Sequence, residues 1–130
     1  MLIAIALACL PIVTDGDTFR CAGERIRLIA IDAPELRGHC RRGRQCAPGD
    51  ARRSKWSLAR ALQRRPLVIR RFGRDHYGRT IAAVEGGGHD LSCHQLRAGM
   101  AIYVRRWDNE GWVGRLCGYS QAMPSPSRSR

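Results

Sequence analysis

Between Ile12 and Pro34 the chain carries three short strand-forming runs separated by two tight turns, and this stretch limits the fold more than any other feature. Ile12-Val13-Thr14 leads into Asp15-Gly16, a strong turn dipeptide, and Thr18 to Cys21 reads as the returning strand. Ala22-Gly23-Glu24 turns the chain again. Arg25 to Ile31 forms the third strand, alternating at first and then continuously apolar, as at a barrel wall. Pro34 ends it, because proline lacks a backbone donor and restricts the residue before it.

The remainder predicts fewer strands and two helices. Leu36 to Asp50 is a loop with four arginines and two cysteines. Asp50 is an N-cap for a helix from Ala51 to about Arg64, with Ala51, Leu58, Ala59 and Leu62 on one face. Pro66 opens a strand over Leu67–Phe72, and Asp75-His76-Tyr77-Gly78 turns into another over Arg79–Val84. Gly86-Gly87-Gly88 is a further turn. Ser92 and Gln95 form a capping-box pattern with Leu91 and Leu96 as its staple, giving a short helix to about Ala98, stopped by Gly99. Ala101–Val104 is a last strand. After Trp107 the pattern decays: Gly111, Gly114 and Gly118 are expected to break any helix, and PSPSRSR reads as a disordered tail. This order predicts a β-rich α+β fold, a five-stranded Greek-key barrel of OB type with two helices and no clear third. Such barrels bind oligonucleotides on an open face.

With 130 residues the chain suits one domain, expected over residues 11–107 and followed by an irregular segment over 108–130. No run approaches the roughly 18 apolar residues of a bilayer span, so no stable membrane span is expected. A monomer is expected. Met1 to Leu10 reads MLIAIALACL, with Ala6-Leu7-Ala8 as an A-x-A cleavage motif. It lacks a basic n-region and is shorter than the usual 15–30 residues or so. It stands as a degenerate signal, a short anchor or a first buried strand.

Charge points to a polyanion. There are 23 basic side chains against 11 acidic ones, a net charge of +12, and Lys55 is the only lysine. Arginine binds phosphate through a planar fork, and a surface this basic binds nucleic acid through counterion release. Six cysteines form no CxxC pair, which argues against a zinc ribbon and for an oxidising compartment, hence export. A hairpin centred on Asp15 places Cys9 within bridging reach of Cys21. Cys40 and Cys46 close a short loop, and Cys93 and Cys117 remain as the third pair.

Asp15, Asp17, Asp32 and Glu35 are four of only 11 acids, gathered in one stretch of a basic chain. Such a cluster calls for a cation, and oxygen donors suit a hard one. With arginines added, these are the parts for phosphoryl transfer. Each motif alone is more often structural; the spacing DGDT, then R-x4-D-x-P-E, then D-x-YGR, is far more specific. Arg27 and Asp32 are five apart, which places them on opposite faces of an ideal strand. One site can use both only if the strand bends or ends near Ile31.

VTDGDT (Val13–Thr18), RLIAIDAPE (Arg27–Glu35) and DHYGR (Asp75–Arg79) in this order resemble the staphylococcal nuclease-like, or thermonuclease, domain family. The resemblance spans about Ile12 to Tyr103. It implies an OB-fold endonuclease that uses Ca2+ to hydrolyse DNA and/or RNA, leaving a 3′-phosphate and a 5′-hydroxyl. By matching position, Asp17 and Asp32 become carboxylate ligands of the metal. Ala33 stands where the family has threonine and offers its backbone carbonyl. Glu35 handles the attacking water, Arg27 and Arg79 hold the phosphate, and Tyr77 and Tyr103 line the nucleotide site. A barrel that grips nucleic acid without cutting it is the alternative.

Overall fold

A computed structural model describes residues 3–4, 9–36, 38, 40 and 42–119. The Ala6-Leu7-Ala8 motif and the PSPSRSR tail lie outside them. The strands are β1 (Ile3–Ala4), β2 (Ile12–Asp15), β3 (Thr18–Cys21), β4 (Glu24–Leu28) and β5 (Ile31–Asp32). Helix α1 (Ala51–Ala61) follows, then β6 (Leu67–Arg74), β7 (Thr80–Gly86) and β8 (His89–Asp90). Helix α2 (Leu91–Arg97), β9 (Ile102–Tyr103), a 3-10 turn at Arg105–Trp107 and α3 (Trp112–Cys117) complete the order. The main sheet runs β1-β6-β7-β4-β3-β2, with β8 added to β7. All its pairs are antiparallel except β4 with β7. A second small pair joins β5 to β9. This mixed sheet with three helices is an OB-type fold. Phe19, Ile26, Leu28, Leu58, Leu62 and Ile69 sit at its centre, all buried. Among the described residues no helix is long and apolar enough to cross a membrane.

The expected third strand is two strands. β4 stops at Leu28, Ile29 and Ala30 turn, and β5 begins at Ile31. Ala30 takes φ 64°, a left-handed conformation that disfavours a side chain. The turn is held from three sides: Ile29 N–H donates to Ala82 O at 2.9 Å, Val104 N–H to Ala30 O at 2.8 Å, and the Ser92 hydroxyl to Ile29 O at 2.9 Å. This break removes the parity conflict between Arg27 and Asp32.

Helix α1 begins as expected, with Asp50 accepting from the N–H groups of Arg52 and Arg53. In α2 the cap is Asp90, which accepts from Cys93 N–H at 2.8 Å, so the Ser92–Gln95 capping box does not form. Both residues are fully buried and committed to tertiary bonds instead. Helix α3 also departs from expectation. Gly111 and Gly118 flank it in left-handed conformations, and Gly114 is accommodated within. Asp108 supplies the missing cap by accepting from Val113 N–H at 3.1 Å and Gly114 N–H at 3.0 Å. The Cys93–Cys117 disulfide ties its end to α2, with Cα atoms 5.2 Å apart.

All three expected disulfides are present. The Cys9–Cys21 and Cys40–Cys46 Cα separations are 5.5 and 6.2 Å. The hairpin register behind the first is nevertheless shifted: Ile12 pairs with Arg20 and Val13 with Phe19, so the turn centres on Gly16 rather than Asp15. Cys9 reaches Cys21 from ahead of the β2 ladder.

Candidate active site

The β2–β3 turn carries the first two acids, and it is fixed from beneath. A Cβ on Gly16 would lie 1.8 Å from Ser54 Oγ of α1, so only glycine permits this approach. Gln95 Nε2 donates to Gly16 O at 2.7 Å and to Ser54 O at 3.0 Å. Leu28 N–H donates to Asp17 O at 2.8 Å. The Asp17 carboxylate is then oriented by Thr18 Oγ1 at 2.8 Å and by Ala33 N–H at 2.9 Å. Both Asp17 and Asp32 are buried, at 4% and 0% exposure.

Arg27 lies between them. Its Nη1 is 3.0 Å from Asp17 Oδ2 and its Nη2 is 3.8 Å from Asp32 Oδ1. Among the described residues the buried Nη1 has no well-aligned hydrogen bond, so its contact with Asp17 is chiefly a charge pair. Burial opposes the charge on Arg27, but Asp17 and Asp32 outweigh it, and the guanidinium is held above its ordinary value. Trp107 closes over it, with the ring centroid 5.0 Å from the guanidinium carbon.

An open cleft of about 620 Å³ runs past this cluster, and its lining includes Arg27, Glu35, Arg44, Tyr77, Arg79 and Trp107. Asp75, also in the lining, organises the β6–β7 turn. It accepts from Tyr77 N–H at 2.9 Å, from Arg79 N–H at 3.0 Å and from Arg79 Nε at 2.7 Å. Burial pushes the Asp75 carboxyl up, but these bonds outweigh it and hold it below its ordinary value. Tyr77 is 39% exposed, with the Arg79 guanidinium 5.2 Å from its ring.

Arg44 was not singled out by the sequence, and it enters the acidic side of the cleft. Its Nη2 is 3.2 Å from Asp32 Oδ1, and its Nη1 pairs with Glu35 Oε1. Burial pushes the Glu35 carboxyl up, and the Arg44 charge opposes that only in part. Trp107 is the second residue not anticipated. Nothing separated Arg44 from its neighbours in an arginine-rich loop, and Trp107 was visible only as an aromatic after the last strand.

The fold therefore brings Asp17, Arg27, Asp32, Ala33 and Glu35 together, and Arg79 and Tyr77 line the same cleft. It does not bring Tyr103 there. Tyr103 is fully buried in β9, stacks on Tyr119 at 4.8 Å and donates its hydroxyl to Asp108 at 2.8 Å. Burial and the Asp108 charge push its hydroxyl up to about 12. The cleft aromatics are Tyr77 and Trp107.

The donor set at Asp17, Asp32 and Glu35 is all oxygen and buried or half-buried, with two carboxylates converging on one guanidinium. Oxygen donors are the type a hard divalent cation takes, but here Asp17 and Asp32 face Arg27 and Glu35 faces Arg44, so a cation would have to displace these arginines. Acids also approach sulfur at Glu35–Cys40–Cys46 and Asp90–Cys93–Cys117. Those sulfurs are in disulfides and cannot act as thiolate ligands.

The fold is thus of OB type, with buried carboxylates and arginines gathered at one cleft. The family model for the staphylococcal nuclease homologue matches residues 25–116, and the chain belongs to that family. Asp17 lies before the matched residues, so its place beside Arg27 rests on the coordinates. The chain is 35% identical over 101 residues to the succinoglycan biosynthesis protein ExoI of Rhizobium meliloti (strain 1021), covering 76% of this chain and 52% of that protein. It is 25% identical over 103 residues to an uncharacterized endonuclease of Haemophilus influenzae, covering 75% of this chain and 52% of that protein. The chain thus spans about half the length of these curated relatives. Family and site together make it a nuclease-like domain.

Proposed function

We propose that this domain is a calcium-dependent endonuclease that hydrolyses phosphodiester bonds of DNA and/or RNA to 3′-phosphate products. The observation that carries the reading is Arg27. It is a buried guanidinium set between two buried carboxylates, 3.0 Å from Asp17 and 3.8 Å from Asp32, and it lines a cleft that Arg79 also lines. Asp17 and Asp32, with the Ala33 carbonyl, would hold the calcium ion, which when bound lends positive charge to the phosphate. Arg27 and Arg79 meet the charge that builds on the nonbridging oxygens in the transition state. Glu35 would accept a proton from water, or orient it, once Arg44 leaves it. Tyr77 and Trp107 offer aromatic faces for bases. The reading takes the chain as a monomer. Three disulfides support an oxidising, exported setting.

The test is digestion of plasmid and of structured RNA with calcium and with chelator, followed by end-group analysis. Calcium-dependent cleavage leaving 3′-phosphates is expected. Nucleic acid that binds but stays intact in every metal would return the chain to a binding barrel.

A further inference from the structure

Helix α1 presents a second face that the cleft does not use. It turns Ser54, Leu58 and Ala61 into the core and leaves Arg52, Arg53, Trp56 and Arg60 exposed, continuing to the exposed Arg64 beyond its end. No acid occurs between residues 51 and 64. Among the described residues, none of these arginines forms an ion pair with a carboxylate. Arg52, Trp56 and Arg60 are spaced by four and so lie along one stripe. Trp56 is 63% exposed, and the Arg60 guanidinium sits 4.8 Å from its ring centre.

Like cations at helical spacing repel one another, so an acid-free arginine stripe is held at a cost that a bound polyanion relieves. An aromatic ring flanked by guanidiniums is the combination that grips single strands, with a base on the ring and phosphates on the arginines. A membrane-surface helix would turn its apolar stripe outward; here that stripe faces the core and a single tryptophan faces out.

We infer that the outer face of α1, centred on Trp56, is a non-catalytic contact surface for single-stranded nucleic acid. It rests on the nuclease reading in that the strand held there is the substrate beyond the cleft. The inner face of the same helix packs through Ser54 on Gly16, between Asp15 and Asp17, so the outer face is carried by an element fixed to the turn that holds these acids.

The test uses the full chain in chelator, where binding is read without cleavage. Binding of a long labelled DNA single strand and of a trinucleotide is measured for wild type, Trp56→Ala, Trp56→Phe and an Arg52→Gln/Arg53→Gln/Arg60→Gln variant. Trp56→Ala is expected to weaken the long strand about tenfold, the scale of one lost stack, with recovery in Trp56→Phe. The triple variant should also lower the salt dependence. Trinucleotide binding and thermal unfolding should stay as in wild type. With calcium, KM for long strands should rise and kcat should not change. Equal long-strand affinity in wild type and Trp56→Ala would overturn the inference. So would Trp56-dependent binding to anionic phosphatidylserine vesicles in preference to the strand. Trp56-dependent binding without cleavage in any metal would remove the nuclease reading and leave this surface standing.

Discussion

Strand β4 carries two carboxylate–guanidinium clusters three residues apart, and they are built on opposite terms. Glu24 accepts from Arg71 Nε at 2.9 Å, from Arg71 Nη2 at 2.6 Å and from Thr80 Oγ1 at 2.7 Å. Both carboxylate oxygens are used, and the Arg71 fork is bidentate. At Arg27, one guanidinium faces two buried acids, and its Nη1 is left without an aligned bond. A closed network stabilises a strand pair, whereas an open one keeps its charge for something that arrives later. Breaking the open cluster should cost rate, and breaking the closed one should cost stability.

The largest effect is expected at the open cluster. Lysine at position 27 or 79 keeps the charge but loses the fork. Arg27→Lys and Arg79→Lys should each lower the cleavage rate by about 10²–10⁴-fold, the scale of a lost transition-state donor. Substrate binding should fall far less, because the chain's other arginines still supply the field. Glu35→Gln should slow turnover comparably while calcium still binds. Cleavage rates against calcium concentration check all three, and wild-type rates in both lysine variants would refute the assignment at its centre.

Next in size is the metal. Asp17→Ala removes a carboxylate already oriented by Thr18 and Ala33. Calorimetric titration should show calcium affinity lower by an order of magnitude or more, since ligand charge count sets such affinities. Arg44→Gln should act in the opposite direction. Arg44 is a resident cation on Asp32 and Glu35, and a metal must compete with it. Its removal should tighten calcium by a few-fold, the modest scale of a partly exposed pair. Unchanged affinity would mean that Arg44 is no part of the open cluster.

The two clusters also differ in how much of them could be read from the sequence. DGDT, RLIAIDAPE and DHYGR pointed to Asp17, Arg27, Asp32, Glu35 and Arg79 through a family resemblance, and the turns and strand end that carry them are local signals. The parity argument even required the break that Ala30 provides. What failed depended on distant partners. Ser92 and Gln95 look like a capping box but are taken up by Ile29 O, Gly16 O and Ser54 O. The glycines after Trp107 look like helix breakers until Asp108 caps α3. Tyr103 looks like a cleft aromatic, but β9 pairs with β5 and buries it. Glu24 read only as part of a turn, because Arg71 and Thr80 lie far along the chain.

The smallest effect is expected at Glu24. Its side chain is 27% exposed and that of Arg71 28%, so solvent screens the pair and only part of the charge-assisted bonding survives as stability. Glu24→Gln should cost about 1 kcal/mol at neutral pH, with kcat unchanged. The sign of the pH dependence follows from the carboxyl. Hydrogen bonding from Arg71 outweighs burial and holds Glu24 below its ordinary value of 4.5. In the unfolded chain it takes up a proton at that ordinary value, before the folded form does. Its contribution is therefore complete above the unfolded value and is lost as pH falls through the lower, folded one. Denaturant unfolding of wild type and Glu24→Gln should give a constant gap near neutrality that closes in the acid range. A gap that persists at acid pH would mean that the substituted amide fails through packing rather than through lost charge. A loss of kcat with stability intact would erase the distinction between the two clusters.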